Sequence, residues 1–267
     1  MEYKNLSGIP DFSCTEYLPR QHDYVVLVPI INEGERIREE LLRAQAANIA
    51  GVADIVICDG GSTDGCTNDE AVKALDVNTL LVKLGAGKQG AQLRMGFYFA
   101  KERGYKGIIT IDGNNKDSIE DIPAFIRKLE EGYDFIQGSR FIKDGKAINT
   151  PLFRLISVKL IHAPVISLTA HQRFTDTTNA YRAYSCRYLF DERTDVFRDV
   201  FSGYELLAYL SVRASQLRYK ACEIPVTRAY PKKGKTPTKI SFFKGNWNLM
   251  KILLKNLFGA YNPKGIK

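Results

Sequence analysis

Residues 24–65 read YVVLVPIINEGERIREELLRAQAANIAGVADIVICDGGSTDG, and their patterning decides the fold class. Tyr24–Val28 is a short apolar run, and Asp54–Cys58 is another. Between them, Glu35–Ala47 carries Ile37, Leu41, Leu42 and Ala44 on one side with Glu and Arg opposite. A one-sided stripe of that kind is the pattern of a core-facing helix, so the stretch is a β-α-β unit. The alternation continues with strands expected at Thr79–Lys83, Gly107–Ile111 and Tyr133–Gln137. Helices are expected between them at Asp64–Leu75, Gln89–Arg103 and Ile119–Glu131. The result is an α/β fold with a mostly parallel twisted sheet flanked by helices.

The second half is less regular. Pro151–Thr169 reads as a helix interrupted at Pro164, Phe201–Ala214 as another helix, and Arg218–Val226 as a strand ending at Pro225. A loop rich in Lys, Gly and Pro, Tyr230–Lys239, leads into a last helix, Ser241–Phe258. No linker divides the chain, so a single domain over residues 24–239 is expected, with an N-terminal extension (1–23) and a C-terminal basic amphipathic helix (240–267).

The 267 residues are 45% hydrophobic and 25% charged, an ordinary globular mix. The net charge of +8 is uneven, because no acidic residue follows Glu223 while ten Lys and Arg do, from Arg228 to Lys267. A basic end of this kind attracts phosphates. The five cysteines form no CxxC pair and read as reduced thiols in a cytosolic setting, without a zinc site. The first residues lack the apolar core of a signal peptide, and no uninterrupted run approaches the roughly 18 apolar residues of a spanning helix. A soluble or peripheral protein is expected.

In parallel α/β sheets ligands gather beyond the strand ends. The first strand ends in Pro29, Asn32 and Glu33, the second in Asp59, Gly60, Gly61, Ser62 and Asp64, and the fourth in Asp112, Asn114 and Asp117. An Asp or Ser there is often only the N-cap of the next helix, and Asp64 fits that role. Capping does not account for three such clusters in succession. A rival reading comes from Gly85-Ala-Gly87-Lys-Gln-Gly90, which satisfies GxGxxG and points to an NAD(P)-dependent oxidoreductase. That fingerprint normally follows the first strand, whereas here it follows the third and leaves Glu33 and Asp59 unused. It is not a phosphate-binding GxxxxGK[ST] loop either, since Gln89 stands where Ser or Thr is needed.

Pro29-x-x-Asn32-Glu33, Asp59-Gly-Gly-Ser62-Thr-Asp64-Gly, Gly87-Lys88-x-Gly90-Ala91 and Asp112-x-Asn114 together resemble family 2 of the inverting glycosyltransferases, which have the GT-A fold. The chain is most similar to the dolichyl-phosphate mannose synthase and polyprenyl-phosphate glucosyltransferase branch. IEDIPAFIRKLEEGYDFIQGSRF, TDTTNAYRAYS and YKACEIPVTRAYPKKGKTPTK extend the likeness over nearly the whole chain. The resemblance implies transfer of a hexose from a UDP- or GDP-sugar, with Pro29, Asn32, Glu33, Asp59, Gly61 and Lys88 at the nucleotide. A carboxylate facing a ring N–H suits uracil or guanine and not cytosine. It implies Mg²⁺ or Mn²⁺ at Asp112, where the second carboxylate of the family's pair is here Asn114, a weaker ligand, with Lys116 nearby as an alternative charge. Arg228 and Lys239, with Lys235, match the family's basic loop over the donor diphosphate. Ser139, Arg140, Arg154 and Ser157 fall where the family binds a lipid phosphate, and Arg182 is either a third phosphate ligand or a partner for Asp176.

The implied acceptor is a polyprenyl phosphate, already anionic and in need of alignment more than of a base. The alternative is a saccharide hydroxyl in capsule or O-antigen assembly, which needs a base. Glu205, with Asp199, sits near the family's base, so Asp112, Arg140 and Glu205 form the expected catalytic set. The last helix sets Phe243, Trp247, Met250, Leu254 and Leu257 opposite Lys244, Asn248, Lys251 and Lys255, a pattern fit for a membrane interface. A peripheral enzyme on the cytoplasmic membrane face is expected, with no nucleic-acid partner, and the sequence is compatible with a homo-oligomer.

Overall fold

The structure of the chain, a computed structural model, describes residues 1–232 and 242–263, apart from the side chains of 242–244 and 246. The strands are β1 (Glu2–Tyr3), β2 (Phe12–Glu16), β3 (Tyr24–Ile30), β4 (Asp54–Asp59), β5 (Thr79–Lys83), β6 (Gly107–Thr110), β7 (Phe135–Ser139), β8 (Lys146–Ile148), β9 (Arg182–Ser185), β10 (Ala221–Pro225) and β11 (Thr227–Ala229). Nine of them form one sheet in the order β1-β2-β5-β4-β3-β6-β9-β7-β10, and β8 pairs with β11 apart from it. The centre, β5-β4-β3-β6, is parallel, while β2 and β9 run antiparallel to their neighbours. Side-chain alternation sends Val25 and Leu27 of β3 to one face and Val26 and Val28 to the other.

Helices α1 (Glu35–Ala46), α2 (Asp69–Lys73), α3 (Gln89–Glu102), α4 (Ile122–Glu130), α5 (Leu152–Ser157), α6 (Ala163–Ala170), α7 (Cys186–Leu189), α8 (Glu205–Gln216) and α9 (Phe242–Leu257) complete the domain. Ile37 and Leu41 of α1 and Phe125 of α4 cover one face of the sheet. Leu93 and Phe97 of α3, with residues of α6, α8 and α9, cover the other. Both faces are buried, which is why β3 and β4 read as continuous apolar runs.

Several expectations change. Residues 1–23 are not an appendage: β2 pairs with β5 from Phe12↔Lys83 to Glu16↔Thr79 and extends the sheet. The helix expected from Asp64 begins only at Asp69, because Asn68 is its N-cap and accepts from Glu70 N at 3.2 Å. Asp64 instead accepts from Gly34 N at 2.9 Å and ties together the loops after β3 and β4. Pro164 does not break its helix. It has no N–H for the Leu160 carbonyl, and the preceding turn, Val158–His162, widens into a π segment joining α5 to α6.

The joined helix Leu152–Ala170 is therefore 19 residues long, with mean hydropathy 1.5, and meets the length and composition of a membrane-crossing helix, contrary to the expectation. Val158, Ala163, Ile166 and Ala170 are nevertheless buried against the body of the domain, so the helix lies along it. On α9 the apolar stripe read from sequence is not the packed one. Ile252, Leu253 and Asn256 are buried, with Asn256 Nδ2 donating to Ala208 O at 3.0 Å, while Trp247 and Leu254 are exposed. The side chains of Phe243 and Lys244 lie outside the described residues.

Candidate active site

The loops after β3, β4 and β6 meet at the carboxyl edge of the sheet. Asn32 N donates to Ser62 Oγ at 2.9 Å, and Thr63 N donates to Asn32 Oδ1 at 2.8 Å, which zips the first two loops together. Asp59 is buried and accepts from Ser62 Oγ (2.6 Å), Ser62 N (3.0 Å) and Gly61 N (3.2 Å). Glu33 forms an ion pair with Arg36 at 2.7 Å. Pro29 is buried opposite Cys58, and Lys88 is exposed at the start of α3.

Asp112 stands just beyond β6. Its Oδ1 accepts from Gln89 Nε2 at 2.8 Å, and its Oδ2 lies 3.3 Å from Arg228 Nη2. Gly113 lets this turn lie on β3, since a Cβ there would stand 2.4 Å from Ile30 Cγ2. Arg228, expected on an open basic loop, is instead buried on β11, paired with Asp117 as well as Asp112. Burial pushes the Asp117 carboxyl up to about 6, although the Arg228 guanidinium pulls the other way. Asn115 is clamped by α1: its N donates to Glu40 Oε2 (2.6 Å), its Nδ2 donates to Glu39 Oε2 (2.8 Å), and its Oδ1 accepts from Arg43 Nη1 (2.8 Å). Asn114 Oδ1, beside Asp112, is buried with no hydrogen-bond partner among the described residues. Lys239 and Lys235 lie outside the described residues.

The second half of the site is a cavity of about 460 Å³ between the joined helix, α8 and α9. Its lining is polar at Arg140, Arg154, Arg182, Arg228, His162 and Tyr230, and apolar at Phe153, Ile161, Leu249, Met250 and Leu253. Ser157 lines it too, but Ser139 is buried with its Oγ 2.6 Å from Thr175 Oγ1. Arg140 forms a bidentate buried pair with Asp176, at 2.6 and 2.8 Å, which leaves Nη1 without a partner among the described residues. Arg182 is not the partner of Asp176. It donates to the carbonyls of Thr177 and Asn179 at 2.9 Å, to Leu207 O, and to Ser211 Oγ at 3.0 Å, so it braces the fold. Burial, reinforced by the Arg182 charge, holds the His162 imidazole down at about 4, hence neutral near pH 7.

Glu205 and Asp199 are committed elsewhere. Glu205 Oε2 accepts from Gly203 N at 2.7 Å at the start of its own helix, and Asp199 pairs with Arg94 at 2.9 Å. The GxGxxG loop packs against residues 201–203: a Cβ on Gly90 would stand 2.5 Å from both Gly203 O and Phe201 O. Gly90 serves close packing here, and Lys88 N at the head of α3 is held by Ser202 O at 2.7 Å.

Sequence reasoning missed Tyr204, His162 and Tyr230, which line the cavity but belong to no strand-end motif. Their only advance signal is proximity in sequence to Glu205, Pro164 and Arg228.

Residues 25–195 match the profile described as Glycosyl transferase family 2. The chain is 25% identical over 212 residues to the polyprenol monophosphomannose synthase of Mycolicibacterium smegmatis, with 76% of each chain covered. It is 28% identical over 207 residues to the undecaprenyl-phosphate mannosyltransferase of Micrococcus luteus, covering 76% of this chain and 82% of that one. Among solved structures it resembles glucosyl-3-phosphoglycerate synthase from Mycobacterium tuberculosis, in complex with Mn²⁺, UDP and glucosyl-3-phosphoglycerate. That match has a TM-score of 0.58 at 14% identity over 92% of this chain and 82% of that one, a likeness of GT-A fold. A match that takes in every strand-end loop of the donor half makes the chain a glycosyltransferase, and it belongs to glycosyl transferase family 2.

Proposed function

We propose that the protein transfers a hexose, with inversion, from a UDP- or GDP-sugar to a polyprenyl phosphate at a membrane surface. The observation that carries this reading is one cavity that combines Arg140, Arg154 and Arg228, the last paired with Asp112, with a largely apolar lining. A phosphate at the arginines and an isoprenoid chain along Phe153, Ile161, Leu249 and Met250 match those two kinds of lining. The names of the mannosyltransferase relatives agree with such an acceptor.

In this reading Glu33 and Asp59 with Asn32, Gly61 and Pro29 hold the nucleoside, and Arg228, with Lys88, holds the diphosphate. A phosphate oxygen of the acceptor attacks the anomeric carbon as the bond to the nucleoside diphosphate breaks on the opposite side. That oxygen is already anionic, so alignment by Arg140 and Arg154 replaces a general base. A sugar hydroxyl would need a base, and Glu205 and Asp199 are turned to Gly203 and Arg94 instead. Asp112 and Asn114 fit a hard divalent cation: they are two neighbouring oxygen donors, one of them the buried Asn114 Oδ1, unpartnered among the described residues. Mg²⁺ takes few protein ligands when phosphates supply the rest. When bound, such an ion neutralises charge on the leaving group.

Purified protein given undecaprenyl phosphate and labelled GDP-mannose or UDP-glucose is expected to move label into butanol-extractable lipid. Label appearing only in water-soluble glycan would overturn the acceptor assignment.

The membrane contact is proposed for the joined helix together with α9. Leu152, Phe153, Leu160 (71% exposed) and Leu168 on one, Trp247 on the other and Phe258 (80% exposed) just past it are exposed large apolar side chains, and Lys159, Lys251 and Lys255 are exposed on the same two helices. Leu152→Glu with Leu160→Glu is expected to weaken co-sedimentation with anionic vesicles at least about tenfold, since each buried leucine is worth roughly 1.5–3 kcal/mol. Nucleotide affinity in solution stays unchanged. Vesicle binding equal to that of the wild type would rule out this face.

A further inference from the structure

We propose that Tyr230 is a positioning residue that couples the two halves of the site, its hydroxyl fixing Arg154 on the acceptor side while its ring seats Lys116 and Arg228 on the donor side. The inference rests on reading the arginines of the cavity as the acceptor-phosphate site. Tyr230 follows β11 directly and is 4% exposed. Its N donates to Ile148 O at 3.0 Å and its O accepts from Asn149 Nδ2 at 3.1 Å, so the β8–β11 pair fixes its position. Its hydroxyl accepts from Arg154 Nη1 at 2.8 Å.

The ring centroid lies 5.5 Å from Lys116 Nζ, 5.7 Å from Arg154 Cζ and 5.8 Å from Arg228 Cζ. Three cations from three separate elements, the loop after β6, α5 and β11, thus gather around one ring. A buried aromatic ring among them separates charges that would otherwise repel across a gap of low dielectric. Arg228 reaches Asp112, while Arg154 faces the cavity, so one side chain sets the spacing between the leaving diphosphate and the attacking phosphate. The local field has a visible consequence on the phenol itself. Burial raises its pKa, but the Arg228, Arg154 and Arg140 guanidiniums outweigh it and hold Tyr230 below the usual tyrosine range.

The test compares Tyr230→Phe and Tyr230→Leu with the wild type. Because the lost hydrogen bond acts on the acceptor only through Arg154, Tyr230→Phe is expected to raise the acceptor KM about fivefold, the scale of an ordinary hydrogen bond, with kcat and donor KM nearly unchanged. Tyr230→Leu, which removes the ring as well, is expected to raise both KM values and lower kcat. Tyrosinate absorbance at 295 nm, taken as wild type minus Tyr230→Phe, is expected to isolate one phenol that ionises early. Farnesyl phosphate shifts that ionisation upward, because its anion cancels part of the positive field. Equal effects of Tyr230→Phe on donor and acceptor, no effect on either, or a difference titration indifferent to farnesyl phosphate would overturn the assignment. Calorimetric binding of farnesyl phosphate separates this from the reading beneath it. A wild type that makes no glycolipid, yet binds farnesyl phosphate about fivefold better than Tyr230→Phe does, keeps the coupling and loses the transfer reaction. A wild type that binds no farnesyl phosphate loses both.

Discussion

Asp112→Asn is expected to lower kcat by about a thousandfold while leaving the protein folded, the scale on which removal of one preorganised electrostatic group acts. The side chain is small in structural terms. It is partly exposed, its Oδ1 contact with Gln89 survives in the amide, and Arg228 retains Asp117 when the Asp112 charge is gone. In catalytic terms it stands between the donor loops and Arg228, and in the proposed mechanism it is the carboxylate that holds the divalent cation. The variant separates these roles. Circular dichroism on heating is expected to show a shift of a few degrees, whereas transfer from the labelled donor all but disappears. Transfer within about fivefold of the wild type, which is less than one lost hydrogen bond to a charged group can cost, would remove Asp112 from the chemistry. Asp112→Ala follows the same course.

The donor half was largely legible because its residues sit next to strands whose signal is strong. A strand buried on both faces is a run of Val, Ile and Leu, and the polar residues that follow, Asn32, Asp59 and Asp112, mark where it ends. β2 was illegible for the opposite reason. FSCTE is short and half polar, and its strand character comes from pairing with β5, from Phe12↔Lys83 onward. The length of α2 was misread because Asp64 and Asn68 are both plausible caps and only the loop contact with Gly34 distinguishes them.

The acceptor half resisted reading at the level of partners. Arg140, Arg182 and Arg228 look alike as phosphate ligands in a sequence. Their partners lie far away along the chain: Asp176 is 36 residues from Arg140, and Asp117 is 111 residues from Arg228. Arg182, buried on β9, satisfies carbonyls at a bend of the chain. Arg140, Arg154 and Ser157, read from sequence as acceptor-phosphate ligands, line one cavity, but the sequence does not show which guanidinium groups are already paired.

That distinction changes what Arg140→Ala does. From sequence, the variant should raise the need for acceptor and spare donor binding. Yet Arg140 and Asp176 are 2% and 0% exposed and face each other bidentately, so the truncation strands a buried carboxylate. Breaking one side of such a pair costs roughly 3–5 kcal/mol. For a domain of this size that lowers Tm by about 10 °C. Loss of activity in Arg140→Ala would therefore report folding as much as binding. Arg140→Met combined with Asp176→Leu removes both charges and keeps the volume, and swaps of that kind are often neutral or stabilising. The double variant is expected to melt near the wild-type temperature, yet to keep an acceptor KM raised at least tenfold, about the worth of one charge-assisted contact. The physical reason is Arg140 Nη1, buried at the cavity wall without a partner among the described residues and lost in both variants. Wild-type stability together with a wild-type acceptor KM in the double variant would assign the phosphate to Arg154 and leave Arg140 a purely structural role.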